Sequence, residues 1–362
     1  MLISALIGGC RELVAAAAGS LTIRAPEQSE AVERIQAALV CLGFELPEAG
    51  CDGTFGAETG IAVSTFKESR GLKPADPVVG VGTTTQLDRE IAYLEDTFDD
   101  AVLEDSRVLA SSPLFGDIVD IQRGGLGIPD RILEFFELSD ELCLPLAPLV
   151  GPTVAQKFGE IVDPKIRDDY IRLQGFQGHD FFDLSKTATE YELFLGLHNP
   201  TVPQDVLDRV GVGVRPDILR HRSDQPEWYE TKPMTPSGVV EFLAKGRELK
   251  ANYAQGFPYL PGKIYRPSDE IHLATLLDGP HTIEVFIEPR RPVPAMILYR
   301  ICLRGDYVEL FNKARISGAI LAILVAIAPE VLAAAEVAAF VAAVKELALS
   351  LSLALPSLVL AK

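Results

Sequence analysis

Cysteine is scarce and scattered: Cys10, Cys41, Cys51, Cys143 and Cys302 are the five, and none forms a CxxC pair. A disulfide framework or a structural zinc site needs tighter grouping, so neither is expected. Cys41 and Cys51 alone are spaced to close a small loop in an oxidising compartment, or to stand as buried free thiols. Histidine is as sparse, and His179, His198, His221, His272 and His281 show no HxxH or HExxH spacing for zinc. Positive charge is short, with 33 Lys+Arg against 51 Asp+Glu and a net charge of −18. The surface as a whole therefore repels nucleic acid and anionic membrane. Long uncharged runs are missing too. In the Ala/Leu/Val-rich tail 316–362 the longest are 316–329 and 347–361. Each contains a proline and falls short of the roughly 20 residues of a membrane span. The N-terminal stretch MLISALIGGCRELVAAAAGS has no basic residue ahead of its apolar run, and Arg11 and Glu12 split that run. It reads as a short helix rather than a secretory signal.

What is present is ample for folded cores: 362 residues, 48% of them hydrophobic, or two to three domains' worth of chain. The charge is unevenly spread. Residues 211–315 hold 15 Lys+Arg and 13 Asp+Glu, which leaves 18 against 38 for the remainder. A near-neutral segment inside an acidic chain keeps a polyanionic substrate open for that segment. Residues 86–106 carry eight acids and one arginine, a solvated helix or linker surface. Residues 107–210 are mixed, with a helical patch at Ile128–Leu138. Gly124-Gly125-Leu126-Gly127 lacks the flanking strand and lysine of a phosphate loop. In the tail, leucine at every second position from Leu347 to Leu355 has strand periodicity. Buried helices followed by a docking strand are expected there, with a membrane-inserting hairpin as the alternative.

Residues 31–44 place Val32, Ile35, Leu39 and Leu42 on one helical face. A glycine turn follows at Cys51-Asp52-Gly53-Thr54-Phe55-Gly56, then a helix over Ala57–Ser69 carrying Ile61, Ala62, Val63 and Phe66 inward. Gly71-Leu72 ends it, Val79-Gly80 turns again, and a third helix starts at Thr83–Leu87. This run resembles the peptidoglycan-binding domain family of three-helix modules. It has the family's pattern in Ile35-Gln36, Asp52-Gly53-Thr54-Phe55-Gly56, Thr59, Ala62-Val63, Phe66, Gly71-Leu72, Val79-Gly80, Thr83 and Leu87. Lys67 replaces the usual glutamine, and Thr84 stands where an aromatic is common, which weakens a sugar-facing contact. The resemblance implies peptidoglycan as partner. Asp52, Gly53, Phe55 and Gly56 serve mainly as turn and core, Thr59, Phe66 and Gly80 complete the module's signature, and glycan or stem-peptide contact falls to an exposed groove beside them.

Further on, Val212–Leu219 reads as an apolar strand carrying Arg215-Pro216-Asp217, and Glu227–Pro233 as a second strand after a polar turn. Glu230 and Lys232 are two apart and so share a face. A hairpin places Asp217 beside them: two carboxylates and an amine at one end of a sheet. Trp228 reads as core, packed beside Tyr229. Two hard oxygen ligands suit Mg²⁺ or Mn²⁺, and a lysine beside them suits phosphodiester hydrolysis. The pattern resembles the PD-(D/E)xK nuclease superfamily, with Pro216-Asp217 and Glu230-Thr231-Lys232 as its motif. The resemblance implies a restriction-endonuclease-like α/β (α+β) domain with Asp217, Glu230 and Lys232 catalytic and Asp217 and Glu230 as metal ligands. A helix over Ser237–Tyr253 follows, with Arg247 and Tyr253 available to brace the site, then strands at Thr282–Glu288 and Ala295–Cys302. Glu190 and Glu192, within a helix over Thr187–Leu197, are candidates for a further acid. The alternatives are a salt-bridged hairpin and a catalytically dead scaffold.

The expected organisation is an N-terminal extension 1–26, a module 27–92, an acidic and helical middle 93–180, the nuclease-like domain 181–315 and the apolar tail 316–362. Bacterial toxins delivered by contractile or secretion machineries resemble this layout. It implies cytoplasmic synthesis without a signal peptide and export or particle association. It further implies nucleic acid as substrate, with a delivery machinery and a neutralising immunity protein as partners. A non-catalytic anchor on a contractile or phage-like particle, and a peptidoglycan hydrolase, remain the other readings. For the hydrolase, the central region offers only Gly178-His179-Asp180 as a start toward a metal peptidase.

Overall fold

The structure is a computed structural model that describes residues 2–92, 94–95, 141–144, 151–175, 180–211, 213–222, 225–278, 281–305 and 358–360. The expectations for Ile128–Leu138, Gly124–Gly127, His179 and the tail up to Leu355 lie outside them. Two compact units divide the chain. The first is Met1–Glu95 with Arg167–Pro267 and Arg290–Leu298. The second is Asp96–Ile166 with Ser268–Pro289 and Tyr299–Lys362. Among the described residues no helix is long and apolar enough to cross a membrane.

The first unit opens on two short helices, α1 (Ala5–Gly8) and α2 (Arg11–Ala17). They are tied down by polar contacts to later chain. Asp88 accepts the backbone N–H groups of Ile3 and Ser4 and the Ser4 hydroxyl, at 2.8 to 3.1 Å. A two-stranded ribbon, β1 (Ile23–Arg24) with β2 (Val78–Val79), then brackets the module. Its helices are α3 (Glu30–Cys41), α4 (Ala57–Ser69) and α5 (81–92). Ser29 caps α3 by accepting the Val32 N–H, and Glu30 and Glu33 favour the helix's positive end. The face so presented buries Val32, Ile35 and Leu39, along with Gln36. On α4, Ala62, Val63 and Phe66 are buried as expected, but Ile61 is 68% exposed and does not face inward.

Gln36 is the polar centre of the module. Its amide nitrogen reaches Asp52 Oδ1 (3.0 Å), Thr54 O (3.1 Å) and Thr59 Oγ1 (2.9 Å), and its oxygen accepts the Gly53 N–H at 2.9 Å. Gly53 has φ +74°, and a Cβ there would lie 3.1 Å from Ser29 O, so the turn requires glycine. Replacing Gln36 with leucine strands the buried Gly53 N–H and removes a donor from Thr59 Oγ1 and Thr54 O. The variant is expected to lose about 2–4 kcal/mol, read by chemical denaturation. A loss below about 0.5 kcal/mol would show that water replaces the amide.

Both departures from the family pattern have a local reason. Lys67 is buried, and its ammonium donates to Asp76 O and Val78 O (3.1 Å each) and to the Asp76 carboxylate, stapling the turn before β2. Thr84 is fully buried and its hydroxyl donates to Gly80 O at 2.9 Å. It therefore faces the core and start of α5, not a sugar, correcting the expectation of a weakened surface contact.

The rest of the first unit holds part of a larger mixed sheet. Strands β4 (Phe181–Asp183), β5 (Ile218–Arg220) and β6 (Glu227–Pro233) form an antiparallel meander. Between β4 and β5 lie α7 (Ala188–His198) and α8 (Gln204–Gly211). After β6, helix α9 (Pro236–Tyr253) crosses back and β7 (Leu260–Pro261) pairs parallel to β6. Strand β5 is much shorter than the predicted Val212–Leu219. Pro216 offers no N–H to a ladder, and the chain becomes strand only beyond it. One sheet face is covered by α9, through Trp228, Phe242, Gly246 and Leu249. The other carries Tyr229, whose ring meets Tyr170 and Tyr265 at centroid distances of 5.7 and 5.6 Å. Trp228 and Tyr229 are both fully buried, on opposite faces as strand alternation requires. Tyr170 belongs to α6 (Gly151–Gln174), which crosses the boundary between the units.

Strand β8 (Ile271–Asp278), in the second unit, pairs antiparallel with β9 (His281–Val293), and β9 neighbours β10 (Met296–Gly305); the last residues of β9 and the first of β10 count with the first unit. Strands β3 (Glu141–Leu144) and β11 (Leu358–Leu360) pair antiparallel with β10 and β8. Cys41 and Cys51 are free thiols, so the loop-closing alternative fails. Burial pushes Cys41 up to about 12. Cys302 is disulfide-bonded, and Cys143 stands opposite it in register. The wide spacing of these two residues had hidden a cross-strand arrangement that only the sheet creates.

Candidate functional site

The site is built on β6 and roofed by α9. Alternation along β6 turns Glu230 and Lys232 to the α9 side, and the hairpin from β5 brings Asp217 beside them. Thr231 N donates to Asp217 Oδ2 at 2.6 Å, which fixes that carboxylate against the strand. Lys232 Nζ lies 3.1 Å from Glu230 Oε1. Thus Asp217, Glu230 and Lys232 do converge in one cluster.

A fourth member was missed in the sequence. Lys245, on α9, donates to Glu230 Oε1 at 2.6 Å and lies 3.5 Å from Asp217 Oδ1, spanning the two carboxylates. It is three residues past Phe242 and four before Leu249, so it lies on the flank of the helix that faces the sheet. That periodicity was the available signal. Helix α9 is held in place by Thr235, which caps it by accepting the Gly238 N–H at 3.0 Å, and by Pro236 in its first turn.

The electrostatics are those of a buried pair under a cationic lid. Glu230 is fully buried, and desolvation together with the nearby Asp217 pushes its carboxyl up to about 7, against the pull of Lys245 and Lys232. Burial pulls the Lys232 ammonium down, but Glu230 and Asp217 outweigh this and hold it raised. The lysine side chains are 20% and 23% exposed while Glu230 is at 0%, so an incoming anion meets the ammonium groups first. Glu230 Oε2 is buried with no hydrogen-bond partner among the described residues.

Other predicted members stand elsewhere. Glu190 closes a capping box with Thr187, its carboxylate accepting the Thr187 N–H at 2.7 Å. The stem of Glu192 lies against Gly211. Arg247 does not brace the site but pairs with Glu33 of the module at 2.6 Å. Tyr253 shares a 2.8 Å hydroxyl contact with Tyr191. Behind the sheet, Glu227 accepts from Tyr170 (3.1 Å) and Tyr229 (2.8 Å), a buried buttress for β6.

Whether the pair suits a divalent metal turns on its donors. No group of three or more His, Cys, Asp or Glu side chains among the described residues is arranged to hold a metal. Mg²⁺, however, commonly takes only one or two carboxylates and keeps its waters. The orphaned Glu230 Oε2 and the loosely held Asp217 Oδ1 are oxygen donors of that kind. The pair fits Mg²⁺ or Mn²⁺ provided Lys245 turns outward.

Comparison with known proteins addresses part of the chain. The chain is 35% identical over 78 residues to the type VI secretion system spike protein VgrG3 of Vibrio cholerae serotype O1. The match covers 19% of this chain and 8% of that protein's length. No solved structure gives a significant match. Residues 28–87 match the peptidoglycan binding domain family, the stretch that Gln36 and the Asp52–Gly56 turn organise.

Proposed function

We propose that this chain is a cell-wall-binding effector whose carboxylate–lysine centre hydrolyses nucleic-acid phosphodiesters with a divalent metal. The carrying observation is the buried Asp217–Glu230 pair under two lysines, with one carboxylate oxygen unpartnered. The strand–turn–strand–helix succession of β5, β6 and α9 is the context that the PD-(D/E)xK resemblance implies. Likeness to a secretion-system spike protein supports delivery by such an apparatus. The bonded Cys302 is in keeping with an oxidising compartment.

Asp217 and Glu230 would hold the metal, and Mg²⁺ or Mn²⁺, when bound, polarises a phosphate and acidifies its water. Lys232 is placed to stabilise negative charge developing on the phosphate. Lys245 pairs with both carboxylates, and its partly exposed ammonium can turn out to meet the same anion. Purified full-length protein with Mg²⁺ or Mn²⁺ is expected to cleave plasmid DNA or total RNA. Glu230→Ala and Lys232→Ala are each expected to lower the rate about 100-fold or more. Folded wild type that leaves both polymers intact sinks the enzymatic reading.

One observation favours a second reading, a non-catalytic wall anchor or particle component. Both lysines are committed to Glu230 Oε1, and Lys245 also reaches Asp217, so the carboxylates already have ion-pair partners. That reading keeps sedimentation with peptidoglycan sacculi and predicts no change in it when Asp217 or Glu230 is replaced.

A further inference from the structure

We propose that the cleft between the peptidoglycan-binding module and α9 is a separate binding site for a short wall stem peptide, one carrying free carboxylates and a free amine. The inference rests on the reading that the module binds peptidoglycan, and it names the part of that polymer the cleft takes.

The cleft has a volume of about 380 Å³, at the lower end for small-molecule sites. It belongs neither to the module alone nor to the sheet domain alone. Glu33 and the loop Glu48–Cys51 supply one wall, and α9, β7 and the turn at Val293-Pro294 supply the other. The two walls are fixed by backbone as well as side chains. Leu46 N donates to Pro292 O at 2.8 Å, and a Cβ on Gly50 would press on Pro294 at 3.0 Å.

The lining sorts by chemistry. Phe242, Leu260, Val293 and Pro294 give an apolar floor, and Leu260 is 58% exposed there, an uncovered leucine at the mouth. Around the rim, Arg247 pairs with Glu33 (2.6 Å) and Lys263 with Glu48 (3.2 Å), while Lys250 adds a third, exposed cation. Exposed ion pairs of this kind contribute little to stability, so a ligand's own charges can exchange into them. Alanyl methyls suit the floor, carboxylates suit Arg247, Lys250 and Lys263, and an ammonium suits Glu33 or Glu48. A neutral glycan has no charges to match this rim. A polyphosphate chain meets two carboxylates in too small a space.

The test is calorimetric titration of the full-length protein with synthetic L-Ala–γ-D-Glu–diaminopimelate–D-Ala, with chitotetraose as the glycan control, alongside sedimentation with purified sacculi. Ala49 and Lys250 are both exposed, so Ala49→Trp, which plugs the cleft, and Lys250→Glu leave the core untouched. Wild type is expected to bind the tetrapeptide, and each variant to bind it at least about tenfold more weakly. Absent tetrapeptide binding, or binding unchanged in both variants, by a wild type that sediments with sacculi overturns the cleft and leaves the module's reading standing. Wild type that does not sediment overturns that reading, and the inference with it.

Discussion

Glu230→Gln is expected to gain about 3 kcal/mol relative to wild type as pH rises from 4.5 to above 7. The carboxyl of Glu230 is pushed up to about 7 in the fold, from an ordinary value of 4.5, because it is fully buried and sits beside Asp217. Between those values the folded chain keeps a proton that the unfolded chain has released. Stability therefore falls as pH rises through that window and is level above it. At roughly 1.4 kcal/mol per pH unit, the window of 2.5 units gives the stated size. Glutamine keeps the shape without the proton, so the difference between the two unfolding curves isolates this group from other titrations. Urea denaturation at pH 4.5, 6 and 8 reads it. A difference that does not change with pH would mean that Lys232 and Lys245 hold Glu230 ionised throughout, and that the site is a plain ion-pair cluster.

Gly262→Ala is expected to prevent folding of the sheet domain, or to cost more than about 4 kcal/mol. A Cβ at Gly262 would fall within the ring of Tyr229. That ring has nowhere to retreat: its hydroxyl donates to Glu227 at 2.8 Å and accepts the Tyr265 N–H at 2.8 Å, and Tyr170 packs beside it. Gly262 N also donates to Trp228 O at 3.0 Å, so moving β7 away breaks its pairing with β6. Overpacking at a site with no slack is among the few single changes that cost this much. Circular dichroism and thermal melting of the purified variant measure it. A variant that melts within a few degrees of wild type would show that Tyr229 has another rotamer available.

The parts legible in the sequence are those that local chemistry specifies. Helix α4 begins and ends where the turn glycines and Ser69 place it, and α9 starts within one residue of the predicted position because Thr235 and Pro236 mark it. Glu230 and Lys232 share a face because strand alternation needs no tertiary knowledge. Contacts that cross long stretches of chain were not legible. The Tyr170–Glu227–Tyr229–Tyr265 cluster joins residues from α6, β6 and the segment after β7, and nothing local marks them as neighbours. The same holds for Arg247, whose position one turn from the site invites a catalytic reading until Glu33 is seen opposite it. Lys245 lies between these cases: its face was readable, but which strand residues that face would meet was not.

The central claim is that Asp217 and Glu230 form a working metal site, and Mn²⁺ binding tests it without any choice of substrate. Electron paramagnetic resonance of the folded full-length protein at pH 8 counts the bound ion. Wild type is expected to hold one Mn²⁺ per chain through the carboxylates. Glu230→Gln is expected to lose at least about tenfold in affinity, and Lys245→Ala to bind as tightly or more tightly because the competing ammonium is gone. Folded wild type that leaves all its Mn²⁺ free at millimolar concentration, with Lys245→Ala behaving the same, would contradict the account and leave a salt-bridged scaffold.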